Sequence, residues 1–407
     1  MCSACEARSV PKLSVSYLRW FGTTIVPHTT AFYDWKSRVN TLFDTLKPHH
    51  RRALAEYSFG MILARCCGLT SVVAYLAVVL RCTAHALRQR LRELYQPATA
   101  QLGAARSEFD FTLCFAPLIR WAAADQPDKR LVIALDPTNL TDRFRVLCAA
   151  VLYHGCGLPV AWAVQEAEEK GSWNTIWFDL LGKLKAALGE GWTVLVLTDR
   201  GLESAELFRA IVRLGWHPLM RVKARGHFRP TNWRRGYRMN HFAAHVGRKW
   251  FGAGVAYPTS NAMDCTLLAW WETGHEEPWL ILTDLPVSGA NVIWYAWRMW
   301  IEQGFRAMKR GCWQWQRTQM TEPVRVARLW AVLAVATIYS VEVGSESAPA
   351  ELPPMPKSLS RLKWGLLLIW AALLRHESLP KAKLQHADWP QPHEIADLLE
   401  EPYVHKG

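Results

Sequence analysis

The sequence predicts an α/β protein: a mixed β-sheet flanked by helices, with a β-rich insertion, preceded by an all-helical region. Three observations lead there. Residues 31 to about 122 carry apolar residues at helical spacing. From about residue 129, short apolar runs alternate with turn signals and amphipathic stretches. Two of those runs end in an aspartate, at 136 and at 199. With 407 residues, half of them hydrophobic, the chain can bury a substantial core. It carries 48 Lys and Arg against 35 Asp and Glu, an excess of 13 positive charges that suits a polyanionic partner.

Residues 1–122 read as a helical region. Arg51–Cys67 and Ser71–Val79 have helical apolar spacing, and Thr83 is placed to cap a helix over Ala84–Tyr95. That last segment sets Arg88, Arg90 and Arg92 beside Leu87, Leu91 and Leu94, as a helix-turn-helix does when it offers a basic helix to the major groove of DNA. An ordinary amphipathic helix with a solvated basic face is the competing reading.

In residues 129–340, Lys129–Leu135 is a short apolar run ending at Asp136, and Phe144–Tyr153 and Leu158–Val164 follow as strands around Gly155 and Gly157. Asn174–Leu188 is helical in pattern. Thr193–Leu197 is a buried-strand candidate ending at Thr198-Asp199, and a helix at Ser204–Leu214 and a strand at Pro218–Val222 complete the series. The order β-β-β-α-β-α-β, a meander followed by alternating helix and strand, is the layout of a ribonuclease H-like (RNase H-like) fold. Aspartates just past the ends of adjacent central strands would converge on one edge of the sheet.

From Leu207 to Met263 there is no Asp or Glu, while Arg, Lys and His recur, among them Arg234, Arg235 and Arg238, interleaved with Trp233, Tyr237 and Trp250. Solvated surfaces normally mix charge signs, so this segment reads as a groove for nucleic-acid backbone with aromatics available for base stacking. Its turn-rich composition predicts a β-rich insertion over about 224–284, returning through Trp279–Thr283. Packing of the tryptophans inside the insertion is the alternative for Trp233 and Trp250.

The sharpest signal is Asn291–Arg310, expected to be one helix. At about 100° per residue, Tyr295, Arg298, Glu302 and Lys309 share a narrow sector beside an aromatic-aliphatic face. Taken alone, this is also what an amphipathic helix with an Arg298–Glu302 pair would show. Together with Asp136 and Asp199, however, Glu302 makes a set of three carboxylates, which repel unless cations neutralise them. Mg²⁺ favours carboxylate oxygens, and two ions about 4 Å apart suit cleavage of a phosphodiester. Arg298 and Lys309 would grip the phosphate being processed.

The pattern Y-x2-R-x3-E-x6-K formed by Tyr295, Arg298, Glu302 and Lys309 resembles the signature of the insertion-sequence-4 family of bacterial DDE transposases, and Asp136 in ALDPTNL and Asp199 in LTDRG resemble its first two acidic motifs. The resemblance covers roughly residues 129–340. It implies cut-and-paste transposition: Asp136, Asp199 and Glu302 hold two Mg²⁺ ions, for which Mn²⁺ can substitute, and Tyr295, Arg298 and Lys309 contact DNA phosphates. The second strand would be cut through a hairpin intermediate. The partners implied are double-stranded DNA, as terminal inverted repeats and target, and a second copy of the chain in at least a dimer on DNA. Asp142 and Glu203 read as ordinary loop and helix-start residues.

Other readings remain at this point: a catalytically inactive, transposase-derived DNA-binding regulator, or a different RNase H-like nuclease. A carboxylate-pair glycosidase gains nothing from the acid-free basic segment. The ten cysteines are scattered and read as reduced thiols, and Cys2–Cys5 lacks a second pair for zinc. The most apolar run, Trp364–Leu374, is too short to span a bilayer and is flanked by Arg361, Lys363 and Arg375, so it reads as a buried helix within a helical tail, 341–407. No membrane association is expected, and the N-terminus lacks the apolar stretch of a signal peptide. The expected location is the cytoplasm, with the bacterial nucleoid implied by the resemblance.

Overall fold

A computed structural model describes residues 27–101, 107–169, 171–259, 261–345, 354–384 and 389–391. Cys2, Cys5 and most of the tail beyond 384 lie outside them.

Four helices come first: α1 (Pro27–Leu42), α2 (Pro48–Ala64), α3 (Leu69–Val79) and α4 (Ala84–Glu93). Pro48 opens α2, where a proline costs no hydrogen bond and its fixed φ already suits the helix. The Thr83 hydroxyl caps α4 by accepting from Ala86 N at 3.4 Å. The basic face proposed for α4 is partly turned inward. Leu87 and Leu91 are buried, and Arg90 donates to buried Glu56 of α2 at 3.1 and 3.2 Å. Glu56, 1% exposed, needs that cation and Arg52 beside it. Of the three arginines only Arg92 is exposed, which favours the amphipathic-helix reading of this segment.

After α5 (Phe115–Ala123) come β1 (Arg130–Leu140), β2 (Phe144–Tyr153), β3 (Cys156–Glu166), α6 (Asn174–Leu188), β4 (Thr193–Thr198), α7 (Ala205–Arg213) and β5 (His217–Arg221). The strands lie in the order β3-β2-β1-β4-β5, with β1–β4 and β4–β5 parallel and the meander pairs antiparallel. This is the mixed sheet with flanking helices that the sequence predicts. One detail differs: β1 does not stop at Leu135 but runs through Asp136 to Leu140, because β2 stays paired with it as far as Phe144 opposite Leu140.

The insertion contributes β6 (His227–Pro230), β7 (Tyr237–Arg238), β8 (Lys249–Ala256), β9 (Met263–Trp270) and β10 (Trp279–Thr283). These strands extend the same sheet, through an antiparallel junction of β10 with β5, to ten strands ending β10-β9-β8-β6-β7.

The helices α8 (Met299–Arg306), α9 (Pro323–Ser345) and α10 (Arg361–Leu374) complete the fold, with α5, α8 and α9 packed on β3. Helix α9 is long and apolar enough to cross a membrane, yet its most apolar window is wholly buried, and Trp162 of β3 donates to its Ala327 carbonyl at 2.9 Å. It is a core helix, longer than the apolar run that stands out in the sequence. Helix α10 lies against it through two glycines. A Cβ on Gly365 would collide with the Ser340 carbonyl oxygen, and one on Gly344 with that of Arg361. Trp370 of α10 also donates to Ile62 O of α2 at 2.9 Å.

Gly365→Ala should therefore destabilise the protein by about 1–3 kcal/mol through overpacking. Gly182→Ala, where an added Cβ on α6 meets nothing within 4 Å, should gain up to about 1 kcal/mol from helix propensity. Equilibrium denaturation of both variants checks the pair; equal effects would contradict the tight α9–α10 contact.

Candidate active site

Three elements converge at one point. The parallel register of β1 and β4 sets Leu135 opposite Thr198, so the next residues, Asp136 and Asp199, stand side by side. Glu302 arrives on α8, which lies against β3 so closely that a Cβ on Gly304 would come 2.7 Å from Gly157 O, and one on Gly157 would come 2.8 Å from Ile301 Cα. Side chains at either glycine would push Glu302 away from the aspartates.

The segment expected to form one helix over 291–310 is not uniform. Val292–Arg298 winds as a 3₁₀ helix, Met299–Arg306 as α, and Ala307–Gly311 as a π turn closed by Cys312 N donating to Ala307 O at 2.7 Å. Such departures from α geometry recur at functional sites.

The carboxylates meet at Arg298 rather than at one another. Its guanidinium donates to Glu302 Oε1 at 2.5 Å and to Asp136 Oδ1 at 2.9 Å, and Nη2 lies 3.5 Å from Asp199 Oδ2. Burial pushes the Asp136 carboxyl up to about 6 despite Arg298, with Glu302 and Asp199 adding to the rise. For Arg298, burial works against the charge, but Asp136, Tyr295, Asp199 and the bond to Glu302 outweigh it and hold the guanidinium firmly protonated.

Tyr295 and Arg298 differ from the expectation that they reach out to DNA phosphate. The Tyr295 side chain is buried, and its hydroxyl donates to Thr198 O at 3.2 Å, bracing the end of β4 just before Asp199. Arg298 is spent on the carboxylates. Lys309 is half-buried beside Asp136 and Glu302, with burial and Arg310 lowering its pKa against the pull of Asp136. Glu203 does more than begin a helix. It accepts from Lys223 N at 2.8 Å and from the Tyr257 hydroxyl at 2.7 Å, tying the loop after Asp199 to the insertion.

Among the described residues, no three His, Cys, Asp or Glu groups stand close enough to hold a metal ion as they are. The donor chemistry nonetheless fits a hard divalent cation. Three carboxylates are gathered here on one guanidinium, an oxygen-donor set with a single cation to serve it.

In the insertion, Arg234, Arg235 and Arg238 are exposed, as are Lys223, Arg225 and Arg229. The two tryptophans proposed as stacking surfaces are half-buried and packed. Trp250 lies 4.4 Å from the Phe242 ring and over its own strand, its Cη2 within 2.5 Å of where a Gly252 Cβ would stand. Trp233 packs on Tyr237 and Phe242 at 5.4 and 5.9 Å. The packing alternative accounts for both.

Sequence reasoning missed the part of the cleft that α10 lines. Ser360 and Lys363, at the start of α10, share with Asp136 and Glu302 a cavity of about 760 Å³. The only local signal was the basic flank of an apolar run.

Residues 129–339 match a family model described as a transposase DDE domain. No curated protein sequence matches this chain. Among solved structures, one described as a cryo-EM structure of a piggyBac transposase synaptic complex with hairpin DNA is similar over 85% of this chain and 78% of its own, at 12% identity and a TM-score of 0.42. With the family model spanning more than half of its length, the chain belongs to the DDE transposases and is a DNA-cleaving enzyme.

Proposed function

We propose that this DNA transposase moves an insertion sequence by cut-and-paste, with Asp136, Asp199 and Glu302 as the metal-holding residues at the point of cleavage. The observation that carries the reading is the convergence of these three carboxylates, from three separate elements, on the single Arg298 guanidinium. Mg²⁺ bound there, as two ions and replaceable by Mn²⁺, would activate a water or 3′-hydroxyl and stabilise the leaving oxygen. The chain's own groups do the rest. Arg298 holds Asp136 and Glu302 together while the charge is unbalanced, Tyr295 fixes the strand end that carries Asp199, and Lys309 contacts phosphate from the cleft wall. Arg234, Arg235 and Arg238 bind the backbone farther out.

The spacing of Tyr295, Arg298, Glu302 and Lys309 supports membership of the insertion-sequence-4 family. With that go a bacterial host, a place in the cytoplasm at the nucleoid, terminal inverted repeats and target duplex as substrates, and at least a dimer on DNA. In this reading the 3′-hydroxyl freed by the first nick attacks the opposite strand and leaves a hairpin end.

Alanine at Asp136, Asp199 or Glu302 should abolish nicking and strand transfer while leaving DNA binding largely intact; Ca²⁺ should support binding without cleavage. Full strand transfer by any one of the three variants on end-labelled substrate would sink the assignment. A wild-type protein that binds the inverted repeats but never cuts them would instead be an inactive DNA-binding regulator.

Neutralising Arg234, Arg235 and Arg238 together should weaken DNA binding and reduce the slope of log K against log salt by about 0.9 for each phosphate no longer bound. An unchanged slope would show that the cluster faces only solvent.

Lys309→Ala should nick the first strand, accumulate that product and form little hairpin. A denaturing gel reads all three species, and wild-type hairpin rates in this variant would remove Lys309 from the second step.

A further inference from the structure

The cavity that opens on Asp136 and Glu302 has a wall from a part of the chain outside the matched residues 129–339. Lys309 and Arg310 line it from the π turn, and Ser360 and Lys363 from the start of α10. Among the described residues around the cavity, every charged group apart from Asp136 and Glu302 is a cation. Solvated protein surface mixes signs, so an all-cation wall facing two carboxylates selects a ligand with phosphates on one side. The cleft is open and has a volume of about 760 Å³, room for a nucleotide or two of a strand to enter it.

The wall is built to stay in place. Gly344 and Gly365 let the backbones of α9 and α10 touch, and Trp370 pins α10 to α2. The Ser360 hydroxyl caps α10 by accepting from Lys363 N at 3.3 Å. The Lys363 side chain runs beside Gly311, its Cε 3.8 Å from where a Cβ there would stand, an ordinary contact distance. Arg310 is aimed by the bond from its Nε to Gln316 Oε1 at 3.1 Å. Lys363 itself is exposed, so its position serves no packing need.

We propose that α10 completes the cleft: Lys363, together with Arg310 of the adjoining π turn, binds the backbone phosphate next to the one processed at Asp136 and Glu302. The proposal rests on the reading of those carboxylates as catalytic. It makes the C-terminal segment a DNA-contacting part of the enzyme.

The test uses the full-length protein and a labelled duplex carrying the inverted repeat that brackets the gene. Binding is followed across salt in Ca²⁺, and single-turnover nicking in Mg²⁺. Lys363→Ala should reduce the salt slope by about 0.9, and Arg310→Ala/Lys363→Ala by about twice that. Nicking should fall on the order of tenfold when one charge-assisted hydrogen bond is removed, and Lys363→Arg should restore both readouts. Lys183→Ala, which removes an exposed cation of α6 paired with Asp179, should change neither. A wild-type slope in Lys363→Ala, or an equal drop in Lys183→Ala, overturns the proposal. Normal nicking by Asp136→Asn would sink the carboxylate reading alone, because the slope is measured without cleavage.

Discussion

Contact between backbones, made possible by glycine, is the constraint on which the rest of this structure depends. Glu302 must reach two aspartates on neighbouring strands, and it does so only because α8 lies on β3 with Gly304 against Gly157. Interiors are packed as densely as crystals, so a displacement of one methyl group at that contact has nowhere to relax except into the position of the carboxylate. The same device recurs where α10 meets α9. In both places a residue with no side chain decides where a charged residue a few positions away will stand.

The second governing quantity is charge. Arg298 is the cation that the three carboxylates share; it and Asp136 are largely enclosed, where water screens poorly, while Asp199 and Glu302 stay partly open to solvent. Asp136, the most enclosed of the three, shows what that enclosure costs: its carboxyl is pushed up to about 6, mainly by burial. Active sites often retain stress of this kind, since the groups that would relieve it belong to the substrate or cofactor rather than to the protein. Tyr295 contributes without taking part in the charge balance, by holding the carbonyl of Thr198.

Much of this was legible in the sequence. The ends of β2 and α6 fall where turn signals and helical period place them, and Asp199 follows directly on its strand. What escaped depends on partners far away in the chain. Nothing local tells that β10 pairs with β5, so the sequence shows a β-rich insertion but not that its strands continue the central sheet. The helix over 291–310 reads as regular because Phe305, Met308 and Cys312 keep an apolar spacing that a π turn also satisfies. Trp250 looks like an exposed aromatic until Gly252, two residues on and on the same face of the strand, is seen to receive its ring. Lys363 comes to the cleft only through the docking of α10, which Gly344 and Gly365 encode in a form that no periodicity reveals.

At its far end the sheet stops in β7, a strand of two residues, Tyr237 and Arg238, the second exposed. Ten strands hydrogen-bonded side by side would otherwise present a long row of free amide and carbonyl groups, an open template for a strand from any neighbouring molecule. A terminus so short and so cationic repels that kind of joining. At this edge the sheet offers a neighbouring molecule little backbone to pair with.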